Sequence, residues 1–140
     1  MMQNPITVET QIHRAIDQVW LCWTSAEHII AWNFASDDWH APHATNDLQV
    51  DGRFAYEMAA KDGSFSFTFS GTYTEVLNHQ KIAYTLDDGR KVEVHFVANE
   101  EGTLVTELFE AEQVNPRERQ QFGWQCILDN FKRHCEQQPS

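Results

Sequence analysis

The sequence predicts an α+β fold: a curved antiparallel sheet of about six to seven strands wrapped around a long C-terminal helix, with two short helices after the first strand. Three observations carry this expectation. Helical periodicity appears in only two places, residues 16–32 and 116–137. The stretch between residues 54 and 112 alternates with period two and is punctuated by Asp62-Gly63, Asp88-Gly89 and Glu101-Gly102. A single sheet with an aromatic face must bury that face, and the last helix carries the one long apolar stripe that can cover it.

The elements follow in order. Ile6, Val8, Thr10 and Ile12 alternate with Thr7, Glu9 and Gln11, which describes a half-buried strand. Ile16, Val19, Trp20 and Trp23 then recur at helical spacing. Thr24-Ser25-Ala26-Glu27 has capping-box spacing and opens a second short helix to about Trp32. Periodicity is lost from Phe34 to Asn46, which reads as a loop. Strands resume with Phe54, Tyr56 and Met58 on one face. In Ser64–Val76, Phe65, Phe67, Phe69, Gly71 and Tyr73 share a face that demands cover. Ile82, Tyr84 and Leu86 mark the next strand, Val92, Val94 and Phe96 the one after, and Thr103 to about Glu112 the last.

Asn115-Pro116-Arg117-Glu118 supplies a cap, a first-turn proline and an N3 acid for the final helix. Trp124, Ile127, Leu128, Phe131 and Cys135 form its apolar stripe. Gly123, unfavourable in a helix interior, suggests a close backbone approach there.

Composition narrows the function classes. The 140 residues suit one domain, spanning residues 1–140. Ten basic against 21 acidic residues give a net charge of −11, which argues against nucleic acid and anionic membrane surfaces, both of which call for basic patches. The acidic balance serves solubility, and a basic protein partner is compatible with it. No apolar run approaches the ~20 residues of a membrane span. Met-Met-Gln-Asn-Pro has neither a basic nor an apolar leader region. Cys22, Cys126 and Cys135 show no CxxC spacing, so zinc ribbons and thioredoxin-like chemistry are not expected; free thiols fit a reducing, cytoplasmic setting.

Several segments taken together resemble the helix-grip superfamily, which includes START lipid-transfer domains and the birch-pollen allergen. The narrower likeness is to the branch named after the C-terminal domain of the heat-shock-protein ATPase activator. The segments are Ile12 with Val19-Trp20 and Trp23-Thr24; His28-Ile29 with Trp32; Val50-Asp51-Gly52-Arg53-Phe54; and Phe69-Ser70-Gly71 with Glu75-Val76. Gly102-Thr103 and Gly123-Trp124 with Leu128 and Phe131 complete the set. Many relatives carry two glycines where this chain has Asp51-Gly52, and a proline where it has Ala15. The segment from Asp37 to Pro42 is similar to a bacterial subgroup's signature.

The resemblance implies a single helix-grip domain with a cavity between sheet and C-terminal helix. It implies a non-catalytic protein that holds a small apolar or amphipathic molecule, as a monomer or homodimer. Trp23, Trp32, Trp39, His40, Phe54, Tyr56, Phe67, Phe69, Tyr84, Phe96, Trp124 and Phe131 are the expected lining or border. A cyclase- or lyase-type enzyme is the alternative, with His40 oriented by Asp38 as the proton-transfer pair at the cavity mouth. A co-chaperone-like surface module is a third reading, carried by the family name.

Two further groups have chemical potential. His40-x2-His43 beside Asp37 and Asp38 has the spacing of a borderline metal pair, but a solvated polar segment is the expectation, with no metal and no cofactor. Glu107 alternates with Val105 and Phe109. If that face points inward, a carboxylate is buried with a raised pKa; if Leu104, Thr106 and Leu108 point inward, Glu107 is solvated. The pattern supports both orientations equally.

Overall fold

The computed structural model describes residues 2 and 4–139. Seven strands form one antiparallel sheet: β1 (Ile6–Ile12), β2 (Trp39–Asn46), β3 (Arg53–Ala60), β4 (Ser66–Leu77), β5 (Lys81–Leu86), β6 (Lys91–Asn99) and β7 (Gly102–Phe109). Their spatial order is β1-β7-β6-β5-β4-β3-β2, so each strand from β2 to β7 pairs with its sequence neighbour and β1 joins at the far edge. Helices α1 (Ile16–Thr24) and α2 (Ala26–Trp32) follow β1, and α3 (Arg117–Gln137) closes the chain. The curved sheet embraces α3, as expected for the α+β fold.

Alternation places the core on the concave face. Val105, Glu107 and Phe109 of β7 are buried while Leu104, Thr106 and Leu108 are only half-buried, which settles the orientation of the last strand. On α3, Leu128, Phe131 and Cys135 are fully buried, on the stripe that the sequence indicates. Gly102 has φ +136°, and a Cβ there would stand 2.2 Å from Ile12 O. A side chain at that position would force β1 and β7 apart where they meet. In the Asp51-Gly52 pair, Asp51 takes the left-handed φ of +68°, which a short polar side chain tolerates.

Five local expectations are corrected. The segment read as a loop contains β2, an edge strand whose pairing with β3 slips between His40 and His43 around Pro42. Proline and a bulge suit an edge and erase the alternation that would reveal a strand. Thr24 does not cap α2: its hydroxyl donates to Trp20 O at 2.8 Å, and Ser25 is the cap residue without a side-chain bond. Pro116, not Asn115, occupies the cap position of α3. Gly123 meets nothing within 4 Å, so it marks no close approach. Finally, the phenylalanine face that runs from Phe65 into β4 is only partly covered, because Phe65 and Phe67 are 60% and 45% exposed.

Candidate functional site

A cavity of about 250 Å³ lies between the concave sheet and the N-terminal half of α3. Each wall has a sequence cause. Period-two alternation turns Phe54, Tyr56 and Met58 of β3, Phe67, Phe69 and Tyr73 of β4, and Ile82 and Tyr84 of β5 inward. Helical spacing brings Trp124 and Ile127 down from α3, while Trp23 and Trp32 close the end under α1 and α2. The aromatic groups brace one another: Trp124 stacks on Phe109 with ring centroids 3.8 Å apart, and its edge meets Phe69 at 5.9 Å.

Polar groups interrupt this wall. Tyr73 Oη donates to Asn46 Oδ1 at 2.5 Å, and Asn46 Nδ2 donates to Thr24 O at 2.7 Å, which ties the sheet to the end of α1. Tyr56 and Tyr73 hydroxyls lie 3.4 Å apart. Burial keeps these phenols protonated: it pushes Tyr73 up to about 12 and Tyr56 and Tyr84 well above the ordinary range. Gln120 of α3 donates to Asn115 O at 2.7 Å and accepts from Glu112 N at 2.9 Å, so it fixes the turn into the helix.

Two lining groups stand apart because no side chain or backbone group among the described residues satisfies them. Glu107 is 5% exposed, and its carboxyl has no hydrogen-bond or ion-pair partner among the described residues. Desolvation pushes its pKa up to about 8, so at neutral pH the acid is mostly protonated. Asn33, directly after α2, is buried and its Nδ2 lacks a partner among the described residues. Two arginines that could pair such an acid hold aspartates instead: Arg53 with Asp87 at 2.8 Å and Arg90 with Asp88 at 2.8 Å. Buried polar groups are usually paired, and leaving one unmet costs on the order of 1–3 kcal/mol. A site evolved for a ligand tolerates that cost because the ligand supplies the missing partner.

Of the expected residues, Trp23, Trp32, Phe54, Tyr56, Phe67, Phe69, Tyr84 and Trp124 line the cavity. Phe96 and Phe131 do not. They pack into the closed core beneath α1 and α2, Phe96 against Trp20 at 5.2 Å and Phe131 against Trp23 at 4.8 Å. Trp39 and His40 lie outside the lining as well. Trp39 contacts Phe67 at 5.9 Å and Phe65 at 6.0 Å on the uncovered end of the β3–β4 hairpin, and His40 is exposed on β2. The expected Asp38–His40 pair is replaced by another contact, since Asp38 Oδ1 accepts from Ser36 Oγ at 2.5 Å. His40 and His43 fall on either side of the β2 bulge and form no cluster with Asp37 and Asp38 among the described residues. Sequence reasoning misses Asn33, Glu112 and Gln120, which sit at chain turns or element ends where no periodicity announces an inward side chain.

The sequence profile of the Activator of Hsp90 ATPase homolog 1-like family matches residues 13–136, and the chain belongs to that family. Among solved structures, an AHSA1-like protein from Aeromonas hydrophila is 43% identical, with 97% of this chain and 98% of that one aligned at a TM-score of 0.89. A protein from Cytophaga hutchinsonii is 48% identical over 96% of this chain and 93% of its own, at a TM-score of 0.82. A Chromobacterium violaceum protein at 18% identity covers 97% of this chain and 100% of its own with a TM-score of 0.84, and shares the fold. No curated protein matches the chain. Among the described residues, no helix is long and apolar enough to cross a membrane.

Proposed function

We propose that this member of the family binds a small apolar or amphipathic molecule in the cavity between the sheet and α3. Aromatic burial supplies affinity, and the Glu107 carboxyl with the Asn33 amide fixes a polar end. The observation that carries this reading is the pair of unpartnered polar groups on an otherwise aromatic wall. The volume of about 250 Å³ falls just below the roughly 300–1,000 Å³ of common small-molecule sites, which favours a compact ligand. Phe67, lining the cavity yet 45% exposed, stands at its mouth with Trp39 outside it.

Native and denaturing mass spectra of freshly purified protein test this directly. A small molecule present only under native conditions is the expected result. For preparations without such a molecule, N-phenyl-1-naphthylamine serves as a neutral fluorescent probe. Its emission should rise with wild type and not with Ile127→Trp, which fills the space beneath α3. Probe binding undiminished by that variant would place the ligand elsewhere and defeat the reading.

The same carboxyl favours a second reading, proton-transfer catalysis of the cyclase or lyase type. A carboxyl with a pKa of about 8 exchanges a proton readily near neutrality. Here Glu107, rather than His40 and Asp38, is the acid–base group. Turnover of the co-purified molecule, lost in Glu107→Gln while binding persists, separates the enzyme from the carrier.

A further inference from the structure

At the opposite end of α3 from the cavity-lining turns, the three helices bring together a set of soft donors. His28 Nδ1 of α2 and His134 Nε2 of α3 face each other at 2.8 Å. The ligand atoms of Cys22 on α1, His28 and His134 all lie within 4.8 Å of one another. Cys135, next to His134 on α3, interacts with the Cys22 thiol. None of these four residues lines the cavity.

We propose that Cys22, His28 and His134 form a zinc site that clamps α1, α2 and α3 together, with the fourth position open to solvent beside the half-buried histidines. One thiolate and two imidazoles leave a tetrahedral zinc ion one position for water, and bond lengths of about 2.0–2.3 Å place tetrahedral donors roughly 3.3–3.8 Å apart. Small rotations of the histidine rings open their contact to that spacing. Both histidines are half-buried, so an ion has a path from solvent, while both cysteines are buried and shielded from other chemistry.

The test is a titration of the full, reduced, chelator-stripped chain with Co²⁺, followed by displacement with Zn²⁺. Saturation at a single equivalent is expected, with the intense visible absorption of tetrahedral cobalt and a near-ultraviolet thiolate band. The zinc form should melt several degrees above the stripped form. His28→Ala and His134→Ala should each lose the single-equivalent binding while keeping the far-ultraviolet circular dichroism of wild type. Cys22→Ser should lose the thiolate band. Because a buried cysteine change can impair folding, the histidine variants are decisive. A weak octahedral cobalt spectrum without a thiolate band, or saturable binding that survives in the histidine variants, would overturn the proposal.

Discussion

Two aromatic regions share one concave face and differ in what lies between their rings. Beneath α1 and α2, Trp20, Phe96, Phe131 and Trp32 close on one another, and Val94, Leu128 and Cys135 complete a fully apolar packing. Beneath the first turns of α3, Phe54, Tyr56, Phe69, Tyr84 and Trp124 leave a cavity, and Glu107 and Asn33 stand on its wall unsatisfied. Residue type is nearly the same in both. Aromatic content therefore does not separate a filled core from a binding site; the polar groups stranded among the rings do.

Phe131→Ala should break the closed region most severely. Phe131 is fully buried, and a Phe→Ala change in such a core costs about 3–5 kcal/mol. Phe69→Ala, on the cavity wall and only half-buried, should cost less than half as much, because its ring already borders empty space. Equal losses in chemical denaturation would mean that both regions are equally packed.

Glu107 sharpens the contrast through pH. Its folded pKa of about 8 lies well above the ordinary carboxylate range, so the native state holds a proton that the unfolded chain releases. Stability from this group is complete below about pH 4.5 and declines as pH rises towards 8, by up to ~1.4 kcal/mol per pH unit. Glu107→Gln should remove that decline. Denaturation of both proteins at pH 5 and pH 8 measures it, and identical pH dependence would mean that Glu107 is solvated or paired. The smallest effect belongs to Gly123, which meets nothing within 4 Å: Gly123→Ala should raise stability by up to ~1 kcal/mol, and a lower melting temperature would reveal a neighbour there.

Much of the architecture is legible in the residues, and the reasons are specific. The strict alternation of β4 through Phe69, Gly71 and Tyr73, the Asp62-Gly63 and Asp88-Gly89 turns, and the stripe Leu128–Phe131–Cys135 each encode their element locally. β2 is not legible, because an edge strand with Pro42 and a bulge needs no alternation to pair on one side. The site is half legible. Inward aromatic residues of β3 and β4 follow from period two, yet the same rule includes Phe96, which the arrangement of α1 and α2 places in the closed core. Glu107 could be seen as a candidate, but its orientation depends on pairing with β1 and β6, a tertiary fact. The Cys22–His28–His134 grouping joins opposite ends of the chain and leaves no spacing to recognise.

The most direct measurement is a ¹³C NMR titration of the Glu107 side-chain carboxyl, assigned by comparison with Glu107→Gln. A midpoint near 8 would establish a buried, unpartnered acid on the cavity wall, the feature that distinguishes this region from the closed core. A midpoint near the ordinary glutamate value of about 4.3 would show a hydrated or paired carboxyl and contradict the assignment of the cavity as a site.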